Sequence, residues 1–477
     1  MKKLVFLSYR KGYHPPLISQ PSPQICLHKF NRGDGSASKS KQGGRRKSPK
    51  GYREAIFLGL ILAILAFSIN LWAVDVYLNI VKGQGRKVRI AVPAFIGQKG
   101  DFSQILSQIV QDDLRQSGYF RLVEALEIMP GKMSLGEKFQ ELKSAGAEVM
   151  ADGQFSLKGE KMVLNGRLYD LTNNRQITGR AYRGKKNDFR QIAHRFSDEI
   201  VYRFTGIKGI AHTKIAFVHQ EGKNKELYLV DYDGHNLEKL TFDYSLGLFP
   251  AWSPDGKTLL YTTFKKGNPD LYLIDFVSRE ARGLLTFQGL NMGAKFSPNG
   301  KEIVLVMSKD GNPELYLYSL RKKKLKRLTY YRGIDSDPTW SPNGREIAFS
   351  SDRSGTPQIY IMDKEGGNLR RLTFKGGYNT SPDWSPRGDK IVYAGMKGGS
   401  FDIYTVGVHS RKIERLTDSL FEGGGSEDPC WSPDGRYLVY TVTRGGEKEI
   451  FIMRDGGTNN RKLVSLQGNC FSPAWSP

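Results

Sequence analysis

From residue 212 onward, short apolar runs of strand length alternate with polar, glycine-bearing turns. A Ser-Pro pair preceded by Trp or Phe recurs with its serine at Ser253, Ser297, Ser341, Ser385, Ser432 and Ser476, at steps of 44, 44, 44, 47 and 44 residues. After the first five come SPDGKTLLY, SPNGKEIVL, SPNGREIAF, SPRGDKIVY and SPDGRYLVY, and then DLYLID, ELYLYS, QIYIMD, DIYTVG and EIFIMR. Most units close on a third signal such as KRLT, RRLT or ERLT. Ser-Pro-Asp/Asn-Gly predicts a tight turn, because proline presets φ at its second position and glycine tolerates the positive φ that follows. The apolar runs that follow have the length and alternation of strands. Four short strands in about 40–45 residues is the period of a propeller blade. The aromatic before each Ser-Pro is expected to pack between neighbouring blades.

The two ends of this region complement each other. If the strand before Ser-Pro is A and the next three are B, C and D, residues 212–241 supply B, C and D without a preceding Trp-Ser-Pro. The final AWSP supplies an A strand with nothing after it. Together they predict a sixth blade built from both ends, which ties the ring shut and leaves no long sheet edge exposed.

Between Arg86 and Gly206 the pattern changes. KVRIAVPAFIG reads as a strand, and Asp101 to Gly118 as an amphipathic helix with Ile105, Ile109, Val110 and Leu114 at helical spacing and Gly118 as its stop. YFRLVEA is a second strand, GEKFQELKSAG a short helix, EVMADGQFSLKGEKMVLNGRLYDL two strands turning at Lys158 to Lys161, and QITGRAYRG a further strand. Asn187 to Gly206 closes with a helix in which His194 reads as a packed or surface side chain. Mixed helices and strands of this length make a small α/β domain. The predicted fold is thus an N-terminal small α/β domain followed by an all-β six-bladed β-propeller.

Charge and cysteine content narrow the function. The net charge is +24, but residues 1–54 carry 13 Lys/Arg against Asp34 and Glu54, so the remainder is only weakly basic. The Arg321 to Arg327 run, RKKKLKR, reads as solvated strand edge, and no nucleic-acid groove is expected. Cys26, Cys430 and Cys470 are too few for a disulfide scaffold and show no zinc spacing. Cys430 and Cys470 share one repeat unit, so a bridge between them stays open. The first 50 residues, with HPPLISQPSPQ and GDGSASKSKQGG, have the composition of a disordered head. Ala55 to Ile69 is an apolar run behind a basic flank, which describes a secretory signal with two candidate cleavage points: Ala66-Phe67-Ser68, which fits the small-x-small rule, and a cut after Ala73, which leaves a poorer Leu71 at the −3 position. The alternative is an uncleaved membrane anchor, since apolar character continues to Val74. The expected organisation is a basic head (1–54), a signal peptide or membrane segment (55–73), an N-terminal segment (74–86), the α/β domain (87–206) and the propeller (207–477).

Catalytic signatures are absent: there is no G-x-S-x-G elbow, no phosphate loop, and the histidines are scattered. Asp335, Asp337, Glu427 and Asp428 gather in loops, yet paired acids alone do not identify a glycosidase. No cofactor and no metal site is expected. The combination of an export signal, a small α/β domain and WSPDG…LYxxD…RLT units ending in PAWSP resembles the TolB family, and the junction DEIVYRFTGIKGIAHTKIAFV (Asp198 to Val218) is similar to that family's own. The long basic head departs from it. The resemblance implies a monomeric, non-catalytic periplasmic adaptor of the Tol-Pal system. Such a protein docks the peptidoglycan-associated lipoprotein Pal on its propeller, links to TolA through its mature N-terminus, and supports outer-membrane constriction at division and envelope integrity. Other outer-membrane or peptidoglycan-linked proteins are further candidate partners, and a membrane-anchored scaffold of another envelope complex is the rival reading. By position relative to Ser-Pro, the family's partner-facing loops map to Leu290, Asn291, Asp335, Ser336, Asp337, Tyr378, Asn379, Glu427 and Asp428. The N-terminal signalling segment maps to Val74, Asp75, Val76, Tyr77 and Leu78.

Overall fold

The amphipathic stripe of α1 (Gly100–Ser117) and that of α3 (Phe189–Thr205) pack on one face of a five-stranded sheet in the computed structural model, which describes residues 86–97, 100–124, 133–419 and 423–477. The strands are β1 (Val88–Ala91), β2 (Phe120–Leu122), β3 (Val149–Lys158), β4 (Lys161–Asp170) and β5 (Arg175–Lys185), in the order β2-β1-β3-β4-β5. β1 pairs in parallel with β2 and β3, whereas β3, β4 and β5 form an antiparallel meander. α2 (Leu135–Ser144) covers the other face through Phe139 and Leu142. A reciprocal capping box starts α2: Ser134 Oγ accepts the Glu137 N–H and Glu137 accepts the Ser134 N–H. Gly206, at φ 70°, ends α3. One reading of the α1 face is corrected. Ile105 is exposed, and Leu106 joins Ile109, Val110 and Leu114 in the core, because the 3.6-residue stripe through 110 and 114 passes through 106.

Residues 214–475 form six four-stranded antiparallel sheets. In each, strand A lies innermost and D outermost, and the A strands neighbour one another around the ring. The expected closure is present. Asn469–Trp475 pairs with Lys214–Glu221, and the Lys214 N–H reaches Ser476 Oγ at 2.8 Å. Ser253 does the same within its own blade, accepting the Thr258 N–H at 3.0 Å, and Ser297, Ser341 and Ser432 repeat it, so the two ends are joined by a bond that recurs within the blades.

The other repeated letters also have structural work. The serine of Ser-Pro-Asp-Gly donates to the turn's own Asp or Asn, as Ser253 to Asp255 and Ser432 to Asp434, both at 2.6 Å. Three Trp indoles bridge blades: Trp252 donates to the carbonyl of Ala474, Trp340 to that of Lys295 and Trp431 to that of Asp383, whereas Trp384 donates to Gly388 O of its own turn. Threonine of the Leu-Thr signal pins D to C. Thr329 Oγ1 accepts the Leu315 N–H at 3.0 Å and donates to the buried Glu314, and Thr241, Thr373 and Thr417 repeat this with Glu226, Gln358 and Asp402. Every A strand carries a bulge whose residue has positive φ: Phe249, Gly293, Asp337, Ser381, Asp428 and Ser472. Proline follows it in five of the six, where the displaced ladder asks for no N–H.

The α/β domain sits on the A-to-B and C-to-D turns of the fifth and closing blades. The last carbonyls of α1, which have no partner within the helix, accept from propeller side chains: Ser117 O from Arg436 at 2.6 Å, and Gln116 O from Tyr437 and from Arg454 at 3.1 Å. His194, buried and not a surface residue, lies between Asp113 of α1 at 2.8 Å and Asp233 of the closing blade at 3.4 Å. Tyr232 donates to Asp113, and Arg190 pairs with Asp233. The basic head, the apolar segment 55–73, Val74 to Leu78 and Cys26 lie outside the described residues. Among the described residues no helix is long and apolar enough to cross a membrane.

Candidate partner-docking face

Because the α/β domain occupies the turn side, the D-to-A and B-to-C loops lie on the opposite end of the ring. Asparagines at the B-to-C hairpins tie the two loop sets together: Asn268 Nδ2 donates to Phe287 O at 3.0 Å, and Asn312 Nδ2 to Tyr331 O at 2.6 Å.

The residues mapped from the sequence fall into two groups. Asn291, Asp335 and Asn379 start their A strands and are buried. The Asn291 amide donates to the carbonyls of Phe287 and Gly289, and that of Asn379 to Lys375 O and Gln358 Oε1. Asp335 takes two bonds from Arg353 at 2.8 and 2.9 Å, while burial pushes its carboxyl upward against Ser351 and that guanidinium. These three hold the loops in shape from beneath. The second group is partly exposed. Leu290 has its N–H on Ser308 Oγ, Tyr378 packs edge-on against Phe401, and Glu427 pairs with Lys448 at 2.7 Å. Asp337, bonded by Ser336 and Thr380, and Asp428, bonded by Ser472, sit at the bulge and so join around the channel with the neighbouring strands. The structure therefore brings Asp337 and Asp428 to one ring and separates them from the buried Asn291, Asp335 and Asn379.

A third set carries no mark among the residues mapped from the sequence. The letter after Leu-Thr is Phe242, Phe287, Tyr330 and Phe374 in four successive units, and all four are exposed, as is Tyr244. The repeat itself held that signal, since LTF, LTF, LTY and LTF align in register.

Two clusters of metal- or thiol-type donors are already satisfied by the chain's own groups. Ligand atoms of His194, Asp231 and Asp233 lie within 4.8 Å of one another. Lys214 and Asn236 already hold Asp231, and Arg190 holds Asp233, so cations of the chain itself balance these carboxylates. Cys430 and Cys470 are free and buried, not bridged. Cys430 Sγ accepts the Trp475 N–H, and Cys470 Sγ lies 3.4 Å from His219 Nδ1. Burial pushes both thiols up to about 12 and pulls His219 down, the opposite of an activated pair.

A small α/β domain docked on one side and an open loop face on the other define a two-domain, six-bladed propeller protein. Residues 201–477 match the family described as TolB beta propeller domain, and residues 76–177 that described as TolB amino-terminal domain. The Tol-Pal system protein TolB of Geobacter sulfurreducens is 37% identical over 208 residues, covering 42% of this chain and 48% of that protein. Its namesake from Desulfosudis oleivorans is 35% identical over 221 residues, covering 44% and 50%. The chain spans about half the length of the curated relatives it matches. The crystal structure of TolB from Acinetobacter baumannii superimposes with a TM-score of 0.71 at 29% identity, over 82% of this chain and 97% of that one. The chain belongs to the TolB family.

Proposed function

We propose that this chain is a periplasmic adaptor of the Tol-Pal system that docks Pal on the loop face of its propeller. Through Val74 to Ile80 it links to TolA, so that the pair supports outer-membrane constriction and envelope integrity. The names of the related proteins support membership of that system. The observation that carries the docking reading is the placement of the α/β domain on the turn side, which leaves the opposite loops free for a partner. We read the protein as non-catalytic, and the buried Cys470–His219 contact, with its thiol held protonated, fits that reading. The domain boundaries 87–206 and 207–477 are proposed on the same basis.

The test is calorimetry of the purified chain against the soluble domain of Pal from the same organism. Saturable one-to-one heat supports the adaptor, and Leu290→Glu, at a partly exposed position of the loop face, is expected to weaken binding in a protein that keeps its thermal midpoint. Absence of heat with a folded protein rejects Pal as the partner.

A further inference from the structure

The five exposed aromatics form an arc on the outer rim of the loop face. Phe242, Tyr330 and Phe374 each follow the threonine that pins a D strand, and Phe287 follows the exposed Thr286 at the same letter of its repeat, so the four occupy one repeat position on four consecutive blades. With Tyr244 they are between 44% and 77% exposed. At the corresponding place the two remaining blades carry Asp418 and Ser465, so the arc covers one part of the ring only. Large exposed aromatics gathered on one surface mark contact sites, because they present broad apolar area at small entropic cost.

These side chains are held ready. Lys239 lies over Phe242 at 5.4 Å, Arg327 over Tyr330 at 4.7 Å and Arg371 over Phe374 at 4.8 Å. Tyr244 has φ 49°, an uncommon conformation for a side chain of this size, and buried Glu226 fixes it by accepting its N–H at 2.8 Å. The loops beneath are pinned by Asn291 and Asn379, two residues that the sequence places at the partner face itself. Among the described residues, exposed Lys266, Arg332 and Lys375 at the tips of these loops have no carboxylate partner. Aromatic anchors rimmed by unpaired cations are complementary to an acidic protein surface with apolar spots.

We infer that the aromatic arc of Phe242, Tyr244, Phe287, Tyr330 and Phe374 is the principal anchor for an acidic protein partner, which therefore docks off-centre over four blades of the loop face. This rests on the reading that the loop face binds a Pal-type lipoprotein, and it adds which residues grip and what charge the partner presents.

The experiment compares the full chain with two variants: a fourfold change (Phe242→Ser, Tyr244→Ser, Tyr330→Ser, Phe374→Ser) and a charge reversal (Arg332→Glu with Lys375→Glu). Each is titrated with the soluble Pal domain at low and high salt. The expected result is at least about 30-fold weaker binding for the fourfold variant. The charge-reversed protein should bind more weakly at low salt and approach wild type at high salt. Exposed positions leave the thermal midpoint unchanged, so folding is checked in the same samples. If wild type binds and the fourfold variant binds within twofold of it, the arc is not the anchor and the adaptor reading stands. If wild type does not bind Pal, that partner is wrong, and the arc is tested by photo-crosslinking in cells with a benzoylphenylalanine at Tyr330 or at Ser465. An identified acidic protein captured from Tyr330 and not from Ser465 supports the arc; equal capture, no capture or a basic protein overturns it.

Discussion

Replacing His194 with Gln should loosen the joint between the two domains. Burial alone lowers a histidine's pKa, but the hydrogen bonds and charges of Asp113 and Asp233 overrule it and hold His194 up at about 9, against an ordinary 6.5. That difference corresponds to about 3 kcal/mol of preference for the imidazolium in the docked state. It agrees with the cost of removing one member of a buried ion pair, about 3–5 kcal/mol. Gln leaves Asp113 and Asp233 facing each other without the cation between them, and Asp113, pushed up by burial, loses its nearest counter-charge. The pH dependence has a definite sign. A raised histidine pKa contributes fully below its ordinary value and is lost as pH climbs through about 9. Asp233 is held well below the carboxylate range, despite burial, by His194 and Arg190, so its contribution appears above the ordinary carboxylate value and disappears in acid. On His194 and Asp233 the joint is firmest between about pH 4 and 6.5, while Asp113, pushed up by burial, acts in the opposite sense and loses its contribution as pH rises above the ordinary carboxylate value. Tyr232, Asp231, Arg461 and His235 also face this cluster, and none of them replaces the imidazolium between the two carboxylates. Hydrogen exchange of the α1 and α3 amides, with urea unfolding at pH 6 and pH 9.5, measures the effect. A variant within about 0.5 kcal/mol of wild type at pH 6 would show that His194 does not hold the joint, as would a wild-type protein equally stable at both pH values.

Other consequences can be read from single bonds. Ser476→Ala removes the closing bond to the Lys214 N–H and should cost about 1 kcal/mol in denaturant melts, no more than Ser253→Ala within its own blade. Deleting residues 469–477 removes the whole inner strand of the closing blade, and the sharp near-ultraviolet circular dichroism of a packed ring should be lost. Thr329→Val strands the Leu315 N–H and removes the hydroxyl from Oε2 of buried Glu314, whose Oε1 keeps Arg327 and the Tyr331 N–H, and should cost about 2 kcal/mol, whereas Tyr330→Ser beside it should cost almost nothing in the same melts. Cys430 and Cys470, buried and held protonated, should resist a thiol reagent at pH 8 until denaturant is added; rapid native-state labelling would contradict their burial.

The blade number and the closure were legible because both depend on local chemistry repeated in register. A turn that needs Pro and Gly, a strand that alternates and a missing A strand at one end are visible without any three-dimensional information. The small α/β domain was legible for the same reason, with one shift: Ile105 and Leu106 are adjacent apolar letters, and the helical stripe through Val110 and Leu114 turns Leu106 inward. The site was less legible. Asn291, Asp335 and Asn379 look like loop polar residues in the sequence, yet each is buried under its loop, because the first residue of these A strands must satisfy the carbonyls or side chains of the chain crossing above it.

Composition and periodicity by themselves determine that this chain makes a ring of blades with a separate domain ahead of it, since turn and strand propensities act over a few residues. Which side chains meet across the ring was decided only by tertiary structure. His194 is one of seven scattered histidines until α1, α3 and the closing blade converge on it. Likewise, Phe242 and Tyr330 after Leu-Thr are left outside because the neighbouring threonine turns inward to its buried acid. Both outcomes depend on residues far apart in the chain, where desolvation and hydrogen bonding are settled by the neighbours that folding supplies.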